Sequence, residues 1–178
     1  MARSRRQHLR GVFRFWLTDS RGHVIRGPFE SENAITTQMA QLLTQIMSRT
    51  GTNPSGPAGG LYTAGPFIGL TTVAPTVAST LGTITEAVGN GYVRTAPTWV
   101  TVAGPPAGYN NTASAAVFTA SGGNLGGGAL TSLIITPAAS GAGSAPNTLL
   151  QAFAALTGGP WTIPNGVSLN VTYSWTVT

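Results

Sequence analysis

Hydrophobic and polar residues alternate most strictly in the last part of the chain. From residue 167 to residue 178 the odd positions hold Val, Leu, Tyr or Trp and the even positions hold Ser, Asn or Thr. Because successive side chains of a strand point to opposite faces, this period of two predicts a β-strand with one apolar and one hydroxyl-rich face. Shorter apolar segments bounded by Gly, Pro, Ser and Asn predict further strands at 66–71, 91–103, 112–120, 129–136 and 149–156.

A second alternating segment, rich in aromatic residues, lies at 11–17. Phe13, Phe15 and Leu17 share one face, and Val12, Arg14 and Trp16 share the other. The Asp-Ser-Arg-Gly sequence at 19–22 is typical of a turn, and 23–26 predicts the returning strand. The pattern therefore predicts a hairpin with one largely buried face.

Only one segment has the period of a helix. After residue 34, apolar residues recur at steps of three and four, which predicts an amphipathic helix over about 31–49. Ser31 or Asn33 would cap its first turn. Glu30 and Glu32 would lie near the positive end of the helix dipole, which favours a capping role for them over acid–base chemistry.

The order of these elements indicates the fold class. About eight strands with no repeated helix favour antiparallel sheets over a parallel α/β arrangement. We expect a mainly β fold: a single antiparallel β-sandwich, jelly-roll-like, with an N-terminal hairpin and one amphipathic helix. The domain would span 11–178 after a basic N-terminal arm at 1–10, with a long Gly/Pro loop at 50–65 that suits contacts.

The charged residues are concentrated at the beginning of the chain, and none follows Arg94. Residues 1–49 hold eight Arg and three carboxylates, and 8 − 3 = +5 is the net charge of the whole chain because Glu86 and Arg94 cancel. Charged residues make up 7% of the sequence, compared with about 25% in an average soluble domain. This composition suits a protein that works inside a larger assembly.

The same distribution argues against an enzyme. General acid–base catalysis needs a side chain that titrates near neutral pH, and catalytic metals need His, Cys or carboxylate ligands. The 178 − 94 = 84 residues after Arg94 supply none of these, and the chain has two His, no Cys, no Lys and no Gly-x-Ser-x-Gly motif. We expect no catalytic residue, no cofactor and no metal site.

No apolar run approaches the ~18 residues of a membrane span, and no apolar segment of an export signal follows Arg5-Arg6, so we expect neither a membrane-bound nor a secreted protein.

The basic arm and the Gly/Pro loop are the candidate contact segments. The candidate partner-binding residues are Arg3, Arg5, Arg6, Arg10 and Arg14, together with Pro54, Pro57 and Tyr62. Arg is favoured at protein interfaces because its planar guanidinium pairs with carboxylates through two hydrogen bonds. The same cations would neutralise phosphates, but the folded part shows no basic stripe, so nucleic acid is the less favoured partner. Trp161 is the candidate glycan contact of a third hypothesis, a sugar-binding sandwich, although its loop would more simply fold onto the end of the sandwich.

Several short segments, in order, resemble a family of small structural proteins of tailed bacteriophages. They are Val-Phe-Arg-Phe-Trp-Leu-Thr-Asp-Ser-Arg-Gly-His-Val at 12–24, Glu-Asn at 32–33, Phe-Ile-Gly-Leu-Thr at 67–71, Ala-Pro-Thr-Val-Ala at 74–78, Gly-Tyr-Val-Arg at 91–94, Ala-Pro-Thr-Trp at 96–99, Asn-Thr-Ala-Ser at 111–114, Val-Phe-Thr at 117–119 and Ile-Pro-Asn-Gly-Val-Ser-Leu-Asn-Val-Thr-Tyr at 163–173. None of these is a catalytic fingerprint. The arm 1–10 and the loop 50–65 lie outside the resemblance.

The resemblance implies a β-sandwich component of the virion, either a head decoration protein or a tail-fibre protein. Because the chain lacks heptads and the repetitive pattern of a fibre shaft, we expect a capsid decoration (cement) protein on the capsid surface, assembled in the host cytoplasm. Its partners would be the major capsid protein and copies of itself, as a trimer or another homo-oligomer. The alternatives are a tail, baseplate or tail-fibre component, with tail proteins as partners, or a glycan-binding module. In the decoration protein the attachment contacts would concentrate in residues 1–65.

Overall fold

The chain forms two antiparallel β-sheets that face each other across one apolar core. The computed structural model describes residues 9–37, 39–40, 66–102, 108–137, 139 and 150–177. The strands of this part are β1 (Leu9–Thr18), β2 (Val24–Glu32), β3 (Ala34–Ile35), β4 (Phe67–Thr71), β5 (Val100–Val102), β6 (Gly108–Asn110), β7 (Ala116–Thr119), β8 (Ser132–Thr136), β9 (Ala152–Ala155) and β10 (Ser168–Val177). One 3-10 turn lies at Leu125–Gly127.

Sheet I has the order β2-β1-β10-β6-β5, and β7 also pairs with β10 on the side of β6. Its centre is the long pairing of β1 with β10, which runs without interruption from Leu9 opposite Val177 to Thr18 opposite Ser168. Sheet II has the order β3-β9-β8-β4. All the strand pairs are antiparallel, so the predicted class, mainly β with antiparallel sheets packed in a sandwich-like arrangement, is confirmed.

The main core lies between the two sheets and follows the alternation of the sequence. Sheet I contributes Phe13, Phe15, Leu17, Phe118, Leu169, Val171 and Tyr173, and sheet II contributes Ile68, Leu70, Leu133, Ile135, Ala152 and Ala154. Each large side chain buried in this way contributes about 1.5–3 kcal/mol of hydrophobic free energy. The predicted buried face of the first hairpin is confirmed, because the odd positions of β1 from Phe13 to Leu17 are the ones in the core.

Sheet II is also covered on its other side at strand β8. Every residue of β8 is buried, because Leu133 and Ile135 face the main core while Ile134 packs into a second cluster with Leu81 and Leu150. Leu81 belongs to the chain segment between β4 and β5, which also forms isolated bridges to the edge strand β4. The apolar residues of β8 are therefore consecutive in sequence, as is typical of strands that are buried on both faces.

A buried asparagine joins the two short strands that pair with β10. The backbone leaves the ladder between β6 and β7, and Asn111, fully buried, occupies the gap. Its side-chain Oδ1 accepts a hydrogen bond from the N–H of Tyr173, and its Nδ2 donates to the carbonyls of Ser114 and Val171. The amide thus replaces the missing backbone partners of β10, since a buried peptide group left unpaired is costly.

The boundaries of the helix and of several strands differ from the predictions. Residues 31–35 are extended, because β2 continues beside β1 to Glu32 and Ala34–Ile35 form β3. The helical residues begin at Thr37, and the hydroxyl of Thr36 caps them by accepting a hydrogen bond from the N–H of Met39. The predicted start at 31, the caps Ser31 and Asn33, and the dipole role of Glu30 and Glu32 are therefore wrong. The part of the predicted helix after residue 40 lies outside the described residues.

Two other boundaries also shift. The strand predicted over 91–103 is limited to Val100–Val102 in the part that the structure describes, because 91–99 forms a turn and irregular segments. At the other end, the arm predicted over 1–10 is shorter, since Leu9 and Arg10 already pair with β10. Pairing with the long strand β10 explains the second shift, because it extends β1 beyond the boundary that the local signals suggested.

Candidate functional site

The outer face of sheet I, the side that points away from the main core, carries an open groove. Its volume is about 320 Å³, and it is lined by Arg14, Trp16, Val24, Pro28, Thr112 and Thr172. Strand β1 supplies the first two residues, β2 the next two and β10 the last. The alternation along β1 explains the placement, because Phe13 and Phe15 point into the core and the residues between and after them must point outward. The groove combines one cation, one indole and two hydroxyls.

Arg14 is an exposed cation at the groove. In the part of the chain that the structure describes, its side chain has no hydrogen-bond or ion-pair partner. Arg10, four residues earlier on the same face, pairs at 2.5 Å with Glu32 of β2, and Arg94 pairs with Glu86. An exposed guanidinium that is not engaged within its own chain is available to a carboxylate of a partner.

Glu30 of β2 lies directly opposite Arg14 in the register of the hairpin. It is exposed, and its carboxylate has no hydrogen-bond or ion-pair partner among the described residues. On the outer face of sheet I, the neighbouring strands β1 and β2 therefore present a positive and a negative group side by side. Because Arg10 and Glu32 add one charge of each sign, these four residues together carry no net charge.

Towards β7 the outer face of sheet I is neutral. The outward positions of β10 are Ser, Asn and Thr, and their side chains bond to neighbouring strands: Asn170 Nδ2 donates to Thr18 Oγ1 at 3.0 Å, and the hydroxyls of Ser168 and Thr119 are 2.8 Å apart. Val117, 47% exposed, lies among them. These cross-strand bonds order the surface without giving it charge.

The hairpin that carries the groove residues has a stabilised turn. The carboxylate of Asp19 accepts hydrogen bonds from the backbone N–H groups of Arg21 and His23, and its second oxygen lies 3.3 Å from the imidazole of His23. Gly22 follows with φ of 84°, which a glycine adopts without strain. The bond from the His23 N–H lowers the pKa of Asp19 below its ordinary 3.8. The role of Asp19 and His23 in stabilising the turn therefore explains why they lie close together, and no catalytic role is needed to account for it.

The two charged residues that follow residue 49 form an internal ion pair. Arg94 Nε lies 2.6 Å from Glu86 Oε1, and Arg94 Nη2 lies 2.5 Å from Glu86 Oε2. The hydroxyl of Tyr92 donates to the same carboxylate and accepts from the N–H of Leu70, which ties the segment after β4 back to β4. Burial, followed by the nearby charge of Glu86, raises the pKa of Tyr92 far above its ordinary value, so the phenol stays neutral. The cluster of Glu86, Tyr92 and Arg94 stabilises the fold, because its polar groups are hydrogen-bonded to one another.

Trp161 does not occupy the position predicted for a glycan contact. Its side chain is 1% exposed and belongs to the main core. Phe15 and Phe29 pack against it edge-on, with ring centroids 5.4 and 5.2 Å away, and the guanidinium of Arg26 lies 4.2 Å from its ring centre. An indole covered by two rings and a cation cannot stack on a sugar, so the prediction for Trp161 is wrong.

The predicted partner-binding residues divide into two groups. Arg10 and Arg14 lie on β1 and point to the outer face of sheet I. The other six lie outside the described residues: Arg3, Arg5 and Arg6 of the arm, and Pro54, Pro57 and Tyr62 of the loop. The structure thus locates the C-terminal part of the predicted arginine set on the same face as the groove.

The groove was not predicted as a unit, although part of its signal was visible in the sequence. The alternation of β1 places Trp16 on the face of Arg14, and an indole there has no place in the core. Pro28 and Thr112 join them only through the pairing of β2 with β1 and the course of the chain after β6. No local pattern predicts contacts between such distant positions.

Comparisons with known proteins give no family. Protein-family models, curated proteins and solved structures were compared with the chain, and none matched. Within the part of the chain that the structure describes, no three His, Cys, Asp or Glu side chains converge as a metal site would require, and no helix is long and apolar enough to cross a membrane.

Proposed function

We propose that this chain is a non-enzymatic structural protein of a bacteriophage virion, and within that class a capsid decoration protein. It would bind the major capsid protein and other copies of itself and thereby stabilise the capsid lattice. The phage assignment comes from the resemblance of the ordered sequence segments, and the role on the capsid comes from the surface chemistry described above.

One observation carries the proposal. Beyond residue 49 the chain has only two charged residues, and these two, Glu86 and Arg94, neutralise each other in an ion pair whose side chains are 22% and 7% exposed. The surface contributed by that part of the chain is therefore made of hydroxyl, amide and apolar groups without free charge. Charge normally keeps a free protein surface soluble, and its absence favours surfaces that pack against other subunits without like-charge repulsion.

The free charges supply the directional contacts in this proposal. Arg14 and Glu30 on the outer face of sheet I are exposed and unengaged within the described residues, and the arginines of the arm precede β1 in sequence. Charged groups at the rim of an interface set orientation and speed of association more than affinity. We expect the hairpin and the arm to guide attachment and the neutral surface to provide close packing.

Localisation on intact particles tests the proposal. Antibody-gold labelling of purified virions in electron micrographs would place the protein on the capsid surface in many copies. Label confined to the tail would replace the decoration role by the tail-component alternative, and particles without label would overturn the virion assignment.

A binding assay on capsids that lack the protein tests the role of the arm. Because Leu9 and Arg10 belong to β1, the deletion should stop at residue 8. We expect loss of residues 1–8 to leave the fold intact and to reduce capsid occupancy, with the triple variant Arg3→Gln, Arg5→Gln, Arg6→Gln as a control of unchanged length. Occupancy equal to that of the complete chain would remove the arm from the attachment mechanism.

A further inference from the structure

Arg14 and Glu30 form an unusual pair of neighbours. They lie opposite each other on β1 and β2 and therefore share the outer face of sheet I. Side chains at directly opposite positions have Cβ atoms only about 4.5–5.5 Å apart, which is close enough for an ion pair. Yet among the described residues neither side chain has a charged or hydrogen-bonding partner, whereas Arg10 and Glu32 on the same two strands are paired.

We propose that this face binds a second copy of the chain, with Arg14 of each copy paired to Glu30 of the other. The two-fold axis lies in the plane of the interface and runs parallel to β1 and β2, midway between them. Rotation about this axis places β1 of one copy over β2 of the other. Residues opposite each other within one hairpin then lie over each other between the copies, so both ion pairs form at once. This is the reciprocal contact that two-fold symmetry requires.

The apolar residues of the groove fit the same arrangement. Trp16 follows Arg14 along the outward side of β1, and Pro28 precedes Glu30 along β2. The axis therefore sets Pro28 of one copy against the half-buried indole of Trp16 in the other, while Val24, 57% exposed, adds apolar surface on β2. Trp and Arg are the side chains most often found at the energetic centre of protein interfaces, and here they lie side by side.

The balance of charge favours a second copy over other occupants. An acidic partner would satisfy Arg14 and meet Glu30, and a basic partner would do the opposite. A second copy offers both signs in the required order, and Arg10 and Glu32 add no net charge to the surface. Electrostatic complementarity of this kind selects a partner and its orientation.

Charge reversal tests the interface, with sedimentation velocity over a concentration series as the measurement. We expect the wild-type protein to dimerise, and we expect Arg14→Glu and Glu30→Arg each to weaken dimerisation by about 100-fold or more, because each brings like charges together twice. An equimolar mixture of the two single variants should form heterodimers, and the double variant Arg14→Glu, Glu30→Arg should dimerise by itself. Arg21→Glu, at the tip of the hairpin, is the matched control and should dimerise like the wild type.

The mixing experiment shows whether a single variant fails to dimerise because of repulsion between copies or because it has lost its fold. Repulsion within one copy is not relieved by mixing, whereas repulsion between copies is. A wild-type protein that remains monomeric at tens of micromolar, single variants that dimerise as well as the wild type, or a mixture that stays monomeric would each overturn the proposal. Dimerisation is measured on the isolated chain, so its failure leaves the virion assignment to be decided by localisation, and failed localisation leaves the dimer standing.

Discussion

The two sheets of this sandwich share one core but differ in what lies on their outer faces. The outer side of β8 in sheet II is buried under a second cluster that includes Leu81 and Leu150, and the segment beyond β4 is fastened there by the Glu86–Arg94 pair. The outer face of sheet I carries an open groove, exposed Arg14 and exposed valines. In sheet II the strand β8 is thus buried on both sides within the chain, while sheet I has a side that the described residues leave open.

This difference separates stability from function within the same fold. Residues of the covered face are constrained by packing, so their substitution should act on the free energy of unfolding. The exposed residues of the open face, such as Arg14 and Val117, bury little surface within their own chain, so their substitution should act on association. Substitutions on the two faces should therefore differ in which of these two quantities they change.

Removing the guanidinium of Arg94 should have the largest effect. In Arg94→Met the carboxylate of Glu86 stays in a largely enclosed site and keeps, among the described residues, the phenol of Tyr92 as its one partner. We expect a loss of about 3–5 kcal/mol in the free energy of unfolding. Denaturant unfolding followed by tryptophan fluorescence measures it. The double variant Glu86→Gln, Arg94→Met should lose less than the single variant, because no buried charge remains unpaired. A loss below about 1 kcal/mol in the single variant would mean that the pair behaves like an exposed one.

Truncation on the covered face should have the next largest effect, compared with a matched truncation on the open face. Ile134→Ala removes a fully buried side chain from the outer cluster of sheet II and should cost about 2–4 kcal/mol. Val117→Ala, on the outer face of sheet I and 47% exposed, should change the free energy of unfolding by about 0.5 kcal/mol or less. Thermal and denaturant unfolding of both variants provide the comparison. Equal losses would contradict the assignment of one covered and one open face.

The smallest expected effect concerns the turn of the hairpin that carries the groove. The pKa of Asp19 is lowered in the folded protein, mainly by the backbone N–H of His23, so its carboxylate stabilises the fold at pH values above its ordinary pKa of 3.8. That contribution is lost as the pH falls through the lowered folded pKa. Asp19→Asn keeps a side-chain acceptor but removes the charge, so it should be slightly less stable than the wild type at pH 7. The two proteins should become equally stable once the pH has fallen below the lowered pKa of Asp19, as measured by unfolding at several pH values. A difference in stability that does not depend on pH would refute the role of the charge.

Local patterns predicted the core of sheet I well. The alternation in β1 and β10 correctly separated the buried Phe13 and Phe15 from the outward Arg14, because a strand turns successive side chains to opposite faces whatever its neighbours are. The helix was placed too early because β2 continues beside β1 as far as Glu32, and this pairing overrides a helical pattern of apolar residues.

The candidate site was predictable only in part. Arg14 was recognised from the arginine run and lies at the groove, whereas the glycan hypothesis requires an accessible Trp161, and Trp161 lies in the core. The loop around Trp161 is rich in Gly and Pro, which indicates a turn but does not show which way its one large side chain points. That direction depends on Phe29 and Arg26 of β2, which are distant in sequence.

The sequence by itself determined the class of fold, the residues that share a face within β1 and β10, and the concentration of charged residues in the N-terminal part. These follow from the period of two and from composition, which act through neighbours along the chain. Only the tertiary structure decided which sheet face is covered, where Glu86 meets Arg94, and that Arg14 and Glu30 stand side by side without pairing. Those outcomes depend on strand pairing and on the course of the connecting segments. The alternation along a strand shows which residues share a face, but it does not show what packs against that face.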